Sequence, residues 1–255
     1  MNKKLDCLWE TKNKDDEWWS SFVTSPLAIV INYVVADIHW LTANHITLLS
    51  FVTAIVSSVF IIEGGPNSFL VAAVLIQISH VLDCMDGQLA RYRHATSASG
   101  AFFDNLTDQI QVTIWFAAAG YAAHLQSQSI LPVYLAFVGV AFYSLRGYIK
   151  YVTLYTRMSE DSGYSVRLTA EVPSPATAGL GFGFRANLRW FIGEQKKVFA
   201  ATEGVFVFML SLALLLDMLT PMLWVFAVSQ LYYGLSRGWQ RGVEMDANQL
   251  GAISK

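Results

Sequence analysis

Four aspartates at two predicted helix ends are the residues of this sequence best suited to chemistry: Asp83, Asp86, Asp104 and Asp108. Asp83 and Asp86 are three positions apart, so they share one face of a helix. Asp104 and Asp108 are four positions apart and share one face of the next helix. Because a short loop joins these two antiparallel helices, the two faces can converge. The sequence therefore predicts four carboxylates in one site.

Four neighbouring carboxylates repel one another and need protons, basic partners or a metal to balance their charge. Ligands that offer only oxygen favour a hard divalent ion, Mg²⁺ or Mn²⁺, over zinc. Four carboxylates can hold two such ions about 4 Å apart, an arrangement that suits phosphoryl chemistry on a diphosphate. Gly87 and Ala90 are small residues that leave space at the end of the helix carrying Asp83 and Asp86. Arg91 adds a planar cation that can bind phosphate oxygens.

The spacing of these residues resembles the signature of a known family. Residues 83–108 fit the pattern D-x2-D-G-x2-A-R-x8-G-x3-D-x3-D at all eight fixed positions. This pattern resembles the signature motif of the CDP-alcohol phosphotransferase family. The resemblance extends over residues of about 20–240. It implies that the four aspartates hold two divalent metals on the diphosphate of a CDP-linked substrate, with Asp108 as the general base. It also implies a CDP pocket lined by Gly87, Ala90, Arg91 and Gly100.

Two further features fit this family more loosely. The segment 41–47 resembles the family's T-P-N-x-[IV]-T segment, with Ala43 where proline is usual. Asn44 and Thr47 are therefore candidate contacts to the nucleotide, although Asn44 could simply cap a helix. Arg146 and Lys150 are four positions apart. They could bind an acceptor phosphate or a lipid phosphate, or they could point outward and snorkel to the membrane surface.

The composition indicates a membrane protein. Apolar residues make up 54% of the 255 residues and charged residues 14%, against about 25% in soluble domains. A net charge of −2 without a basic region excludes a nucleic-acid partner, and two cysteines exclude a disulfide scaffold. We therefore predict an all-α, polytopic membrane protein. Its six spans cover approximately residues 44–62, 68–89, 100–123, 130–153, 200–216 and 221–238.

The basic residues predict how the chain is oriented. Residues 63–67, 124–129 and 217–220 contain no Lys or Arg, so all 17 basic residues fall on the other side of the membrane. The positive-inside rule then places both termini and the active site in the cytoplasm, at the cell (inner) membrane. Residues 157–200 form a long loop on that side, with an amphipathic segment carrying Arg185, Arg189, Lys196 and Lys197.

Three regions follow from this layout. Residues 1–40 form a cytoplasmic N-terminus, 41–240 the six-helix catalytic domain and 241–255 a cytoplasmic tail. Within the first region, residues 17–40 are predicted as an amphipathic helix lying on the membrane surface, with a seventh span as the alternative.

The resemblance implies a reaction that moves a phosphatidyl group from a CDP-linked donor, such as CDP-diacylglycerol, to an acceptor hydroxyl, with release of CMP. A CDP-linked headgroup transferred to a lipid or polar alcohol is the alternative within the same class. A UbiA-like prenyltransferase would carry its Asp motifs on well-separated helices, and an ion-coupled transporter would place its carboxylates near the midplane. A homodimer is expected from the family resemblance alone.

Overall fold

The computed structural model describes residues 3–13, 17–161, 163–164, 183–198 and 202–253, and the regular structure within them is helical. The helices are α1 (Lys3–Glu10), α2 (Ser25–Val35, preceded by a π-helical turn, Ser20–Thr24), α3 (Ala43–Glu63), α4 (Pro66–Tyr92), α5 (Ala98–Ser127), α6 (Leu131–Glu160), α7 (Gly183–Val198), α8 (Glu203–Leu215) and α9 (Leu219–Ile253). The predicted all-α class is confirmed for the described residues.

Short turns connect the consecutive helices of the bundle. Gly64 and Gly65 join α3 to α4 with φ values of 75° and 84°, a backbone region that favours glycine, and Pro66 then opens α4. The turn between α5 and α6 passes through Gln128, which has a φ of 53°. Because such turns reverse the chain, neighbouring helices run antiparallel. The C-terminal end of α4 therefore lies beside the N-terminal ends of α3 and α5.

Helices α4, α5, α6, α8 and α9 share one apolar core with α3. Helix α3 packs on α4 and α5, α6 packs on α5 and α9, and α4 packs on α8 and α2. The rings of Phe116 and Phe226 stack in this core with centroids 3.7 Å apart. Small residues let backbones approach closely in such a bundle. Gly139 is an example, because a Cβ atom there would overlap the ring of Phe226.

Gly139→Ala is therefore expected to destabilise the protein by about 1–3 kcal/mol, the usual range for overpacking a filled core. Gly147→Ala is the matched control, since Gly147 lies on the same helix with open space beside it. Thermal unfolding in detergent should show a lower midpoint for Gly139→Ala only. Equal midpoints would mean that Phe226 moves aside at no cost.

Three described helices are long and apolar enough to cross a membrane: Ala43–Glu63, Pro66–Tyr92 and Leu131–Glu160. They correspond to the first, second and fourth predicted spans. Helix α5 is long, with 30 residues, but its first half carries acidic and amide side chains. Helix α8 is apolar but has only 13 residues, against the roughly 20 that a span needs. Three of the six predicted spans therefore correspond to helices of this kind, and the six-span layout remains a proposal.

Residues 17–40 contain a helix that is broken into two parts and shorter than a span. Ser20–Val35 is apolar, and it falls in the range of 10–17 residues. Ala28, Ile29 and Asn32 are buried, whereas Val30 and Val34 are 59% and 70% exposed. This helix is shorter than the roughly 20 residues that a span needs, and its position on the membrane surface remains a proposal.

Two other predicted regions are partly described. Helix α7 coincides with the amphipathic part of residues 157–200, whereas residues 165–182 of that loop lie outside the described residues. Helix α9 continues past the predicted end of the sixth span at residue 238 to Ile253.

Candidate active site

The first pair of aspartates projects from the last turns of α4. Asp86 is buried, with 4% of its surface exposed, and its Oδ2 accepts a hydrogen bond from the Thr47 hydroxyl of α3. The Thr47 hydroxyl shares its single proton between Asp86 and, at 3.2 Å, the backbone oxygen of Ala43, one turn earlier in its own helix. The predicted contact residue Thr47 therefore reaches the site and fixes the orientation of one carboxylate.

The second pair projects from the first turns of α5. The Ser97 side chain caps this helix by accepting from the backbone N–H of Gly100 at 3.0 Å. Carboxylate oxygens of Asp83, Asp104 and Asp108 then lie within 4.8 Å of one another. Asp86 stands beside this group on α4, bonded to Thr47. The structure thus brings together the four aspartates that the spacing predicted.

This group of carboxylates fits a divalent cation. Oδ1 of Asp108 is buried and has no hydrogen-bond partner in the described part of the chain. A buried acceptor without a donor is costly unless a ligand or ion satisfies it. The ligand atoms are all carboxylate oxygens, which Mg²⁺ and Mn²⁺ prefer. The identity and number of the ions remain predictions.

The small residues of the motif make room for polar side chains. The guanidinium of Arg91 lies over Gly87, where an added Cβ would come within 3.2 Å of Nη1. Nε of Arg91 donates to the backbone oxygen of Thr11 at 2.7 Å. At Gly100 an added Cβ would lie 3.0 Å from the Ser97 hydroxyl and 3.5 Å from Oδ1 of Asn44. Glycine at these positions therefore leaves room for the Arg91 guanidinium and for the Ser97 cap.

Two cavities meet at the motif. The first, of about 160 Å³, is bordered by the ends of α3, α4 and α5, and we call it the small-residue cleft. The residues predicted to bind CDP line it: Asn44, Thr47, Gly87, Ala90, Arg91 and Gly100.

The second cavity, of about 210 Å³, lies on the other side of the aspartates, and we call it the polar cavity. Its lining includes Asn13, Glu17 and Ser20 from the N-terminal segment, His80 and Asp83 from α4, Asp108 from α5 and Glu203 from α8.

The sequence did not predict three of these residues: Glu17, His80 and Glu203. A nitrogen of His80 and carboxylate oxygens of Asp83 and Glu203 lie within 4.8 Å of one another. His80 is one turn before Asp83 on α4, so helical spacing could have placed it on the same face. Glu17 and Glu203 are far away in the sequence and reach the site only through the packing of the chain.

Arg146 and Lys150 are placed differently from the other predicted residues. Nη1 of Arg146 donates to Oε1 of Gln230 on α9 at 2.6 Å, and its guanidinium lies 5.8 Å from the ring centre of Tyr233. Lys150, one turn further along α6, is exposed. Neither residue lines the small-residue cleft or the polar cavity. Their predicted role in binding a phosphate therefore gains no support from these cavities.

The chain is similar to known proteins over the region that contains most of this site. The family model described as CDP-alcohol phosphatidyltransferase matches residues 40–235. The chain is 32% identical over 81 residues to the "Bifunctional IPC transferase and DIPP synthase" of Thermococcus kodakarensis, a match that covers 32% of this chain and 18% of that protein. It is 32% identical over 94 residues to the "Archaetidylinositol phosphate synthase" of Methanothermobacter thermautotrophicus, over 36% of this chain and 47% of that protein. The chain thus matches less than half the length of each relative.

Proposed function

Because the chain belongs to the CDP-alcohol phosphatidyltransferase family, we propose that it transfers a phosphatidyl-type group from a CDP-linked lipid to the hydroxyl of a small polar alcohol and releases CMP. Membership of this family favours a phosphotransferase over the prenyltransferase and the transporter that the sequence alone left open. The donor and acceptor named here go beyond family membership and are part of the proposal.

The observation that carries the proposal is the position of the carboxylates between two cavities. Four residues line both the small-residue cleft and the polar cavity: Asp86, Gly87, Arg91 and Asp104. All four belong to the motif. A diphosphate at this junction would have its nucleoside in one cavity and face the attacking alcohol in the other. We assign the small-residue cleft to the CDP group and the polar cavity to the acceptor.

Each of the motif residues has a separate role in the proposed reaction. The four aspartates would hold divalent ions, Mg²⁺ or Mn²⁺, which neutralise charge at the diphosphate. Arg91 binds phosphate oxygens beside Gly87. Asp108 takes the proton of the acceptor hydroxyl, and the resulting oxygen attacks the phosphorus distal to cytidine. The bond from that phosphorus to the CMP phosphate oxygen breaks, and CMP leaves with the electron pair. Positioning and electrostatics supply most of the rate enhancement.

An apolar groove beside the site supports a lipid as one of the two substrates. It has a volume of about 420 Å³ and lies between α2, α4 and α8. Its lining is almost wholly aliphatic, and it reaches Leu82 and Met85, which neighbour the aspartates on α4. Acyl or isoprenoid chains could occupy this groove while the diphosphate reaches the carboxylates. A CDP-linked headgroup with a separate lipid acceptor uses the same groove, so the groove does not distinguish the two donors.

The membrane setting completes the proposal. We propose six spans, with α2 on the cytoplasmic surface of the cell membrane and both termini and the active site on that side. Residues 41–240 would form the catalytic domain between the N-terminal region and a C-terminal tail, and the family resemblance implies a homodimer. The positive-inside bias of the loops supports this orientation.

Arg91→Ala is expected to weaken donor binding more than acceptor binding. The guanidinium lies at the helix end that carries Asp83 and Asp86, and a charge-assisted bond to phosphate is worth roughly 1.5–3 kcal/mol, or about 10- to 100-fold in affinity. Steady-state kinetics should show the donor KM raised by that amount. A rise confined to the acceptor KM would contradict this placement of Arg91.

The proposed reaction can be tested with the purified protein in detergent or vesicles. It is incubated with Mg²⁺ and each class of donor, CDP-diacylglycerol or a CDP-linked headgroup, together with candidate alcohols. CMP release is assayed, and the lipid product is identified by its mass. CMP release from CDP-diacylglycerol only in the presence of a small alcohol supports the proposal. Release from a CDP-linked headgroup in the presence of a lipid alcohol would reverse the donor assignment.

A further inference from the structure

Residues that precede the family match form one wall of the polar cavity. The match begins at residue 40, whereas Asn13, Glu17, Ser20 and Ser25 line the cavity. We propose that this N-terminal wall positions Arg91 and His80 and determines which alcohol the chain accepts. The proposal rests on the proposed function, since it takes the polar cavity as the acceptor site.

The first connection runs from the wall to Arg91. Leu8 of α1 is completely buried and anchors the start of the chain against the bundle. The hydroxyl of Thr11 donates to the backbone oxygen of Leu8 at 2.6 Å, which fixes the turn that follows α1. The backbone oxygen of Thr11 accepts from Nε of Arg91. The N-terminal segment thereby orients the plane of a guanidinium that lines both cavities.

The second connection runs from the wall to α8. Oε1 of Glu17 accepts from the backbone N–H of Gly204 at 2.8 Å and from the hydroxyl of Ser20 at 2.5 Å. A carboxylate is well suited to the start of a helix, where backbone N–H groups lack partners and the helix dipole is positive. An added Cβ on Gly204 would overlap the carboxylate of Glu17. Glycine at this position is therefore what allows the wall to close against α8.

The third connection fixes His80. Oγ of Ser20 lies 2.9 Å from Nε2 of His80, a side chain with only 5% of its surface exposed. Because Ser20 has a single hydroxyl proton, which goes to Glu17, the bond to His80 is donated by Nε2–H of the ring. The wall therefore determines both the tautomer and the orientation of His80. That ring lies beside Asp83 and Glu203 at the cavity.

The chemistry of the wall indicates the kind of acceptor. Its lining side chains are an amide, a carboxylate and two hydroxyls, without a cation among the described ones. Among the described lining residues of the whole cavity, the one Lys or Arg is Arg91, which the proposed function assigns to the donor diphosphate. No second cation therefore faces a phosphate on the acceptor, and the carboxylate of Glu17 would repel it. A hydroxyl or an ammonium group satisfies such a lining. We therefore infer an acceptor without a phosphate of its own: a neutral or amine-bearing alcohol.

Gly204→Ala tests the wall without altering its residues. The added methyl group would overlap the end of the flexible Glu17 side chain and come within 2.5 Å of Oγ of Ser20. Both side chains can turn away, so the fold should survive while the bonds of Glu17 to Gly204 and Ser20 are lost. Gly193→Ala is the matched control, because Gly193 is a helical glycine with open space beside it. Loss of a charge-assisted bond predicts an acceptor KM about tenfold higher or more for Gly204→Ala. The donor KM should stay near the wild-type value, and Gly193→Ala should match the wild type throughout.

A second readout needs no turnover. Cys84 lines the polar cavity, and its Sγ lies 3.6 Å from the Thr24 hydroxyl of the wall. In a Cys7→Ser background it is the only cysteine, since the chain has two. A charged thiol reagent should label Cys84 faster in Gly204→Ala than in Gly193→Ala. An unchanged rate would overturn the proposal that Glu17 holds the wall closed.

The kinetic outcomes separate this proposal from the proposed function. Absence of CMP release from the wild type with any donor would refute the function, while the labelling comparison would still test the wall. Faster labelling with an unchanged acceptor KM would show that the wall merely covers the cavity, and would overturn its positioning role. The inferred acceptor is tested with ethanolamine, glycerol and glycerol 3-phosphate. Preference for glycerol 3-phosphate would overturn the inferred acceptor chemistry.

Discussion

Replacement of Asp108 by asparagine is expected to lower kcat by roughly 10² or more, the usual cost of losing a general base. Asparagine keeps the shape of the side chain and a carbonyl oxygen that can still touch a cation, but it cannot take a proton from the acceptor hydroxyl. Asp108 lies one turn beyond Asp104 and lines the polar cavity, where its Oδ1 is buried and no described residue bonds to it. CDP binding should therefore stay within about tenfold, or 1.4 kcal/mol. Steady-state CMP release and equilibrium CDP binding measure the two quantities separately.

Asp83→Asn provides the contrast. Asp83 belongs to the same oxygen cluster, so its replacement should impair cation and donor binding as well as the rate. If Asp108→Asn retained near-normal turnover at neutral pH, the proton acceptor would have to be another group or water. Asp108 would then not be the general base, although the carboxylate cluster could still bind cations.

Removal of divalent cations is expected to abolish activity. Carboxylates of Asp83, Asp104 and Asp108 lie within 4.8 Å of one another and would repel a diphosphate unless cations intervene. Excess EDTA should reduce CMP release to background, and Mg²⁺ or Mn²⁺ added beyond the chelator should restore it. Restoration is measured on the same sample, which controls for denaturation. Full turnover in excess EDTA would eliminate the two-cation proposal.

Local helical geometry explains why the sequence alone predicted the carboxylate cluster. Spacings of three and four positions fix which face of a helix a side chain occupies. Asp83 and Asp86 therefore needed only a tight connection to α5 to meet Asp104 and Asp108. The close approach of Gly87 to Arg91, four positions later on the same helix, follows from the same geometry. The motif contains nearly all the information that this half of the site requires.

Contacts between distant segments could not be predicted in this way. Glu17 reaches Gly204, and Ser20 reaches His80, because α2 and α8 both pack on α4. The periodicity of the sequence does not predict which helices pack against each other. Arg146 illustrates the same limit, since its spacing from Lys150 allowed either a role in the site or an outward position. The structure pairs it with Gln230 of α9 instead.

Prediction of spans is hardest where helix length and polarity disagree, and for α5 and α8 the six-span layout remains a proposal. The apolar residues of 200–216 suggested a full span, but α8 begins at Glu203 and ends at Leu215. Its first residue lines the polar cavity, so the start of this helix serves the site. Helix α5 is long enough, but it begins with the acidic residues of the motif. Hydropathy alone does not separate a span from a helix that enters a polar site.

The two cavities share only four lining residues, all of them within the motif. Such a division has an evolutionary consequence. If the N-terminal wall selects the alcohol, as proposed, substitutions in it would change the acceptor while the residues that handle the nucleotide and the diphosphate stay the same. New products could then evolve through changes in the wall without any change in the motif.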